Sequence, residues 1–111
     1  MMDTNEVKKL KWVCVENWSK LIPTSYNSED SYNVVESDVD DFVENTFKEV
    51  AQNLNIPYKE LKPILDERNS SFISAKERVF STYGYMKIRH PILLKLENLL
   101  IIPDITTVNK V

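Results

Sequence analysis

Glycine, cysteine and histidine are nearly missing from this chain of 111 residues, since each occurs once. Tight hairpin turns and phosphate-binding loops use glycine for positive backbone angles and close approach, so a single glycine, Gly84, disfavours sheet-rich folds and nucleotide-binding loops. Cys14 and His90 are too few for an internal disulfide or a Cys/His zinc site. We therefore expect no metal and no cofactor.

Long apolar runs are also missing. The most apolar stretch, residues 92–102, is interrupted by Lys95 and Glu97 and is far shorter than a bilayer span. The first twelve residues contain no sustained apolar segment typical of a signal peptide. The length fits one domain, so we expect a single helical domain over residues 1–111, intracellular (cytoplasmic or nuclear), with no membrane segment.

Charge is unevenly distributed along the chain. Residues 1–45 contain four lysines and ten acidic residues, a net charge of −6, whereas residues 46–111 have a net charge of +3. Between Leu21 and Phe47 there are seven acidic residues and no basic one. Such a surface repels phosphate and attracts a basic partner.

Apolar spacing predicts an all-α fold, a small orthogonal or irregular bundle of about five helices. Val7, Leu10 and Cys14 begin a stripe with three-and-four spacing, and Asp3 or Thr4 can cap the first helix. Pro63 interrupts the third helix and predicts either a kink or a later start. The predicted helices cover residues 4–21, 37–54, 57–67, 70–86 and 90–102. The segment 24–36 is predicted to be a mobile acidic loop with a brief extended piece at 32–35, and 103–111 a frayed tail.

The middle pair of helices has the spacing of a helix-turn-helix. Ala51 is the small residue at the crossing, Asn55 stands where the turn needs a left-handed angle, and Leu61 follows ten residues after the alanine. Over residues 47–65 the chain resembles the helix-turn-helix of phage-type repressors. That resemblance implies DNA binding, with base or phosphate contacts from Tyr58, Lys59, Lys62, Arg68, Lys76 and Arg78.

Two features weigh against DNA binding, and two others favour a protein partner. Pro63 lies within the second helix of the pair, and the helix before it is acidic, whereas phosphate neutralisation supplies most of the affinity for nucleic acid. Trp12 points away from the apolar stripe of the first helix, and the fifth helix is apolar nearly all round. The first hypothesis is therefore a protein interaction or assembly module, with another protein or a second copy as partner. Its predicted interface consists of Trp12, Leu96, Leu99 and Leu100.

Catalysis is the least favoured class. Cys14 lies in the apolar stripe of the first helix and is expected to be buried, and His90 is distant in sequence with no third group to orient it. Asp38, Asp40 and Asp41 lack the glycine-containing loop of a helix-loop-helix calcium site. We expect the protein not to be an enzyme.

Overall fold

A computed structural model describes residues 3–16, 25–28, 31–83, 85–87 and 96–104. It confirms a mostly helical protein, with four helices and five short strands in the described residues. In chain order the elements are α1 Thr4–Lys8, β1 Trp12–Cys14, β2 Ser25–Ser28, β3 Ser31–Val35, α2 Glu36–Leu54, α3 Tyr58–Arg68, α4 Ser70–Tyr83, β4 Tyr85–Lys87 and β5 Ile101–Pro103.

The turn between α2 and α3 has the geometry that the sequence predicts. Asn55 has a φ of 55°, the left-handed angle that asparagine tolerates better than most residues. Its amide donates to the Gln52 carbonyl at 3.2 Å, and the Ile56 amide donates to the Ala51 carbonyl at 3.0 Å. These two bonds form a Schellman motif, which satisfies carbonyls at the end of α2 and directs the chain into α3.

Helix α3 accommodates its internal proline. The helix runs from Tyr58 to Arg68 with Pro63 inside it. Pro63 is exposed, and so is Lys59, whose carbonyl would otherwise receive the missing bond. The helix nevertheless continues beyond the proline to Arg68.

Two small antiparallel sheets accompany the helices. In the first, β1 pairs with β5, so that Val13 lies opposite Ile102. In the second, the strand order is β2-β3-β4. Strand β3 leads directly into α2, and β4 follows α4, so this sheet connects the start of one helix to the end of the other.

The predicted first helix is wrong from Lys9 to Glu16, and its last predicted residues, 17–21, lie outside the described residues. Asp3 caps α1 as predicted, its carboxylate accepting from the Glu6 amide at 2.9 Å, but the helix ends at Lys8 and the chain becomes strand β1. Trp12, Val13 and Val15 are aromatic or β-branched residues, which favour extended backbone once a partner strand is present. That partner is β5, far along the chain, and local periodicity does not reveal it.

The predicted fifth helix ends earlier than predicted. Leu96 and Glu97 are helical, and the turn that follows is closed by a bond from the Leu99 amide to the Leu96 carbonyl at 3.0 Å. The chain then forms strand β5, because Ile101 and Ile102 are β-branched and the residue before Pro103 avoids helical angles. Residues 88–95 and 105–111 lie outside the described residues. They include the first part of the predicted fifth helix and most of the predicted tail.

The remaining predicted segments differ less from the structure. Helix α2 covers residues 36–54 and α3 covers 58–68, within one or two residues of prediction. The predicted fourth helix begins at Ser70 and ends at Tyr83, earlier than predicted. Most of the segment predicted to be a loop forms β2 and β3, and β3 includes the expected extended piece.

One hydrophobic core joins the helices to the first sheet. Its buried residues are Val7, Val39, Phe47, Val50, Ala51, Leu54, Ile56, Leu61, Ile64, Leu65, Phe72, Phe80, Leu96 and Leu100. The apolar residues on both sides of the α2–α3 turn are in this set, so the helix-turn-helix spacing corresponds to a real packing contact. The five-helix bundle itself is not confirmed.

Candidate interhelical binding cleft

A cleft of about 450 Å³ lies between α2, α3 and α4. We call it the interhelical cleft. It is lined by Asp40, Val43, Glu44, Phe47, Tyr58, Lys62, Asp66, Asn69, Phe72, Ile73 and Lys76. The volume is within the range of pockets that hold small molecules or side chains of a partner, about 300–1,000 Å³.

The inner surface of the cleft is apolar. Phe47 of α2 and Phe72 of α4 are buried, at 3% and 1% exposure, and form its base. Val43, Ile73 and Tyr58 are half-buried and form its sides. An incoming apolar group would therefore contact side chains from all three helices and displace water from them.

The rim of the cleft is charged and internally paired. Lys62 and Asp66 of α3 form an ion pair at 2.7 Å. Lys76 of α4 pairs across the cleft with Asp40 of α2 and lies 3.8 Å from Glu36. The Lys76 side chain is only 13% exposed, so its stem packs in the protein while its ammonium group joins α4 to α2.

Tyr58 and Lys62, which both line the cleft, have raised pKa values. Burial raises the pKa of the Tyr58 hydroxyl above its ordinary value, although nearby Lys62 opposes the shift. The hydrogen bond to Asp66 raises the pKa of Lys62. Lys48 lies 5.7 Å from the centre of the Tyr58 ring, close enough for a cation–π contact. Both groups therefore keep their protons at neutral pH, and Lys62 donates a hydrogen bond to Asp66.

Asn69 fixes the junction of α3 and α4 beside the cleft. It is 1% exposed, and its side-chain amide donates to the carbonyls of Leu65 and Ile101, both at 2.9 Å. Its side-chain oxygen accepts from the Ile101 amide at 2.8 Å. Asn69 thus pairs with the backbone of β5 as a neighbouring strand would, and holds the first sheet against the helices.

No group of three or more histidine, cysteine, aspartate or glutamate side chains able to hold a metal ion occurs in the described parts of the chain. Within the same parts, none of the helices is long and apolar enough to cross a membrane.

Cys14, predicted to be buried, is exposed, and its thiol lies 3.6 Å from the Asn98 carbonyl oxygen. Cys14 lies in strand β1 and not in a helix, so the helical stripe from which its burial was predicted does not form there. His90 lies outside the described residues.

The four residues of the predicted protein interface do not form one surface. Leu96 and Leu100 are buried at 1% and 0% exposure, because both side chains pack into the hydrophobic core. Leu99 is exposed at 37%. Trp12 is half-buried and packs against the core, and its indole nitrogen is buried with no hydrogen-bond partner among the described residues.

The six residues of the predicted DNA contact are only partly available. Arg68 donates to the Lys8 carbonyl at 3.1 Å and lies 5.0 Å above the Trp12 ring, so it fixes α1 and β1 to α3. Lys62, Lys76 and Tyr58 belong to the interhelical cleft. Lys59 and Arg78 are exposed, and neither forms an ion pair with another described residue.

Sequence reasoning missed the residues that make the cleft a site. Phe47 and Phe72 belong to separate helices, and the gap between them depends on how those helices cross. Asn69 gave no signal, because an asparagine between two helices is typical of an ordinary turn. Lys76 and Asp40 could have been paired only with knowledge that α4 and α2 are neighbours.

Comparison with known proteins adds no relative. Neither a protein family, nor a curated protein, nor a solved structure matches this chain.

Proposed function

We propose that the chain is a non-catalytic module that binds another protein, and that the interhelical cleft is its binding surface. The observation that supports this proposal is the composition of the cleft, with two buried phenylalanines at the base, half-buried apolar sides and a charged rim. This arrangement resembles the centre of protein interfaces, where a partner side chain fills an apolar pocket and polar residues surround it.

The titrating groups of the cleft favour binding over chemistry. A general base or nucleophile at neutral pH needs a lysine pKa that is lowered or a nearby base that removes a proton. Lys62 and Tyr58 have raised pKa values, so both hold their protons more firmly than usual. Both groups can therefore donate hydrogen bonds to a partner.

Selection from a random peptide display library tests the proposal. We expect enrichment of peptides that contain large apolar residues, and weaker binding of those peptides to an Ile73→Thr variant, since Ile73 forms one side of the cleft. Losing its contact should cost about 1–2 kcal/mol, or about five- to thirtyfold in affinity.

Val79→Thr is the matched control. Val79 is a half-buried β-branched residue on the same helix, and it does not line the cleft. Selected peptides should bind this variant as they bind the parent chain. A selection without enriched sequences, or binding that both variants weaken equally, would contradict the proposal.

DNA binding is the second candidate, favoured by the left-handed Asn55 in a helix-turn-helix-like pair. Exposed Lys59 and Arg78 would contact the duplex. If the chain binds DNA, an electrophoretic shift of a random-sequence duplex appears at low ionic strength and weakens steeply with added salt. Absence of a shift at low ionic strength excludes this candidate.

A further inference from the structure

We infer that the interhelical cleft accepts a short basic amphipathic helix of a partner protein, with its apolar side chains in the cleft and its positive charges over α2. This inference rests on the proposed function and specifies the partner. Three observations support it: the length of the cleft along α2, the charge around its rim, and the asymmetry of that charge between the helices.

The length of the cleft suits two turns of a helix. Its lining residues on α2 extend from Asp40 to Phe47, eight residues whose seven helical steps of 1.5 Å span about 10 Å. Apolar side chains at positions i and i+4 of a partner helix are about 6 Å apart along its axis, so both would reach the cleft. Phe47 and Phe72 at the base would contact them.

The charges around the cleft disfavour an anionic partner. Each lysine that lines it is already paired with a carboxylate, Lys62 with Asp66 and Lys76 with Asp40. An incoming anion would have to break one of these pairs.

The outer side of α2 favours a cationic partner. This helix contains six acidic residues and one lysine, Lys48, which pairs with Glu44 at 3.2 Å. Asp41 follows Asp40 on the exposed surface and has no ion pair with another described residue. Positive side chains on one flank of a partner helix would therefore lie over Asp41 and would share Glu44 with Lys48, whereas the opposite flank would face the paired lysines. This asymmetry fixes the orientation of the bound helix.

A defined peptide set tests the inference. The probe is a synthetic helix of about four turns with leucines at i and i+4 and arginines along one flank, and its binding is measured by fluorescence anisotropy. One comparison peptide replaces the arginines with glutamates, and another replaces the leucines with serines. We expect the basic peptide to bind at least about tenfold more tightly than either comparison peptide.

A matched pair of charge variants locates the contact. Asp41→Asn with Glu44→Gln removes two negative charges beside the cleft, whereas Glu60→Gln with Glu67→Gln removes two exposed negative charges from α3 that do not line it. We expect the first variant to bind the basic peptide about three- to tenfold more weakly and with less salt dependence, because each exposed charge pair contributes modestly and is screened by salt. The second variant should bind like the parent chain.

The possible results separate the inference from the proposed function. Equal binding of the glutamate peptide, or equal loss in both charge variants, overturns the inference. If peptides selected from the library still depend on Ile73 in that case, the proposed function stands. If neither the designed nor the selected peptides depend on the cleft, both fail.

Discussion

Asn69→Ala removes three side-chain hydrogen bonds at a buried position, and its cost can be worked out group by group. The Leu65 carbonyl retains a bond from the Asn69 backbone amide at 3.0 Å, so it is not left unpaired. The Ile101 amide and carbonyl both lose their side-chain partner in a partly buried environment. Each unsatisfied group costs about 1–3 kcal/mol, so the two groups together predict a loss of about 2–6 kcal/mol in the free energy of unfolding.

That loss would be large for a domain of this size. Stabilities of small domains are about 5–15 kcal/mol, so the variant would lose a substantial part of the total. Urea denaturation followed by circular dichroism measures it, with an expected fall of at least about 1 M in the midpoint. Hydrogen exchange at the Ile101 amide should accelerate, because that amide loses its acceptor.

Asn45→Ala is the control for this substitution. Asn45 is exposed on α2, and its side chain forms no hydrogen bond with the described residues, so the change should be neutral or slightly stabilising through higher helix propensity. A loss below about 1 kcal/mol in Asn69→Ala, or a loss equal to that of the control, would refute the structural role assigned to Asn69.

Three further predictions concern the turn, the cleft and its rim. Asn55→Ala should cost about 1 kcal/mol in urea denaturation, because alanine is disfavoured at a φ of 55°, whereas Asn55→Gly should not destabilise the protein. Because the pKa of Tyr58 is raised, its contribution to stability is present below about pH 10 and is lost as the pH rises through the folded-state pKa. Spectroscopic titration of the parent chain against Tyr58→Phe should therefore show a tyrosinate midpoint above that of free tyrosine. Lys76→Met should cost less than about 1 kcal/mol, because the carboxylates of Glu36 and Asp40 are 43% and 51% exposed and the methionine keeps the buried stem.

Each of these predictions has an opposing result. Equal stability of the alanine and glycine variants at position 55 would contradict a strained turn. A Tyr58 midpoint at or below that of free tyrosine would contradict its burial in the cleft. A loss of several kcal/mol in Lys76→Met would mean that the ion pairs across the cleft contribute more than exposed carboxylates should.

The sequence predicts the middle of the fold well because the relevant information there is local. Helices α2 and α3 are defined by apolar residues three and four apart, and their connection by a residue that tolerates a left-handed angle. Ala51, Asn55 and Leu61 carried the predicted helix pair, and the structure confirms the pair as a packing contact. Exposed Pro63 shows why an interior proline need not end a helix.

The sequence does not predict the first sheet, because its strands become stable only through each other. Val13 and Ile102 pair across most of the chain, and each lies in a segment whose apolar spacing also fits a helix. Whether such a segment becomes helix or strand depends on a distant partner strand. Asn69 adds to the stability of β5 through its hydrogen bonds with the backbone of Ile101. The candidate cleft is missed for a related reason, since it forms where three helices meet and belongs to none of them.

NMR titration of the isotopically labelled chain with the basic amphipathic peptide tests the central claim most directly. The cleft predicts progressive, saturating shifts in the methyl signals of Val43 and Ile73, with little change at Leu99, which lies exposed away from the cleft. Shifts concentrated at Leu99 and Trp12, with none at Val43 or Ile73, would contradict the assignment of the interhelical cleft as the binding surface.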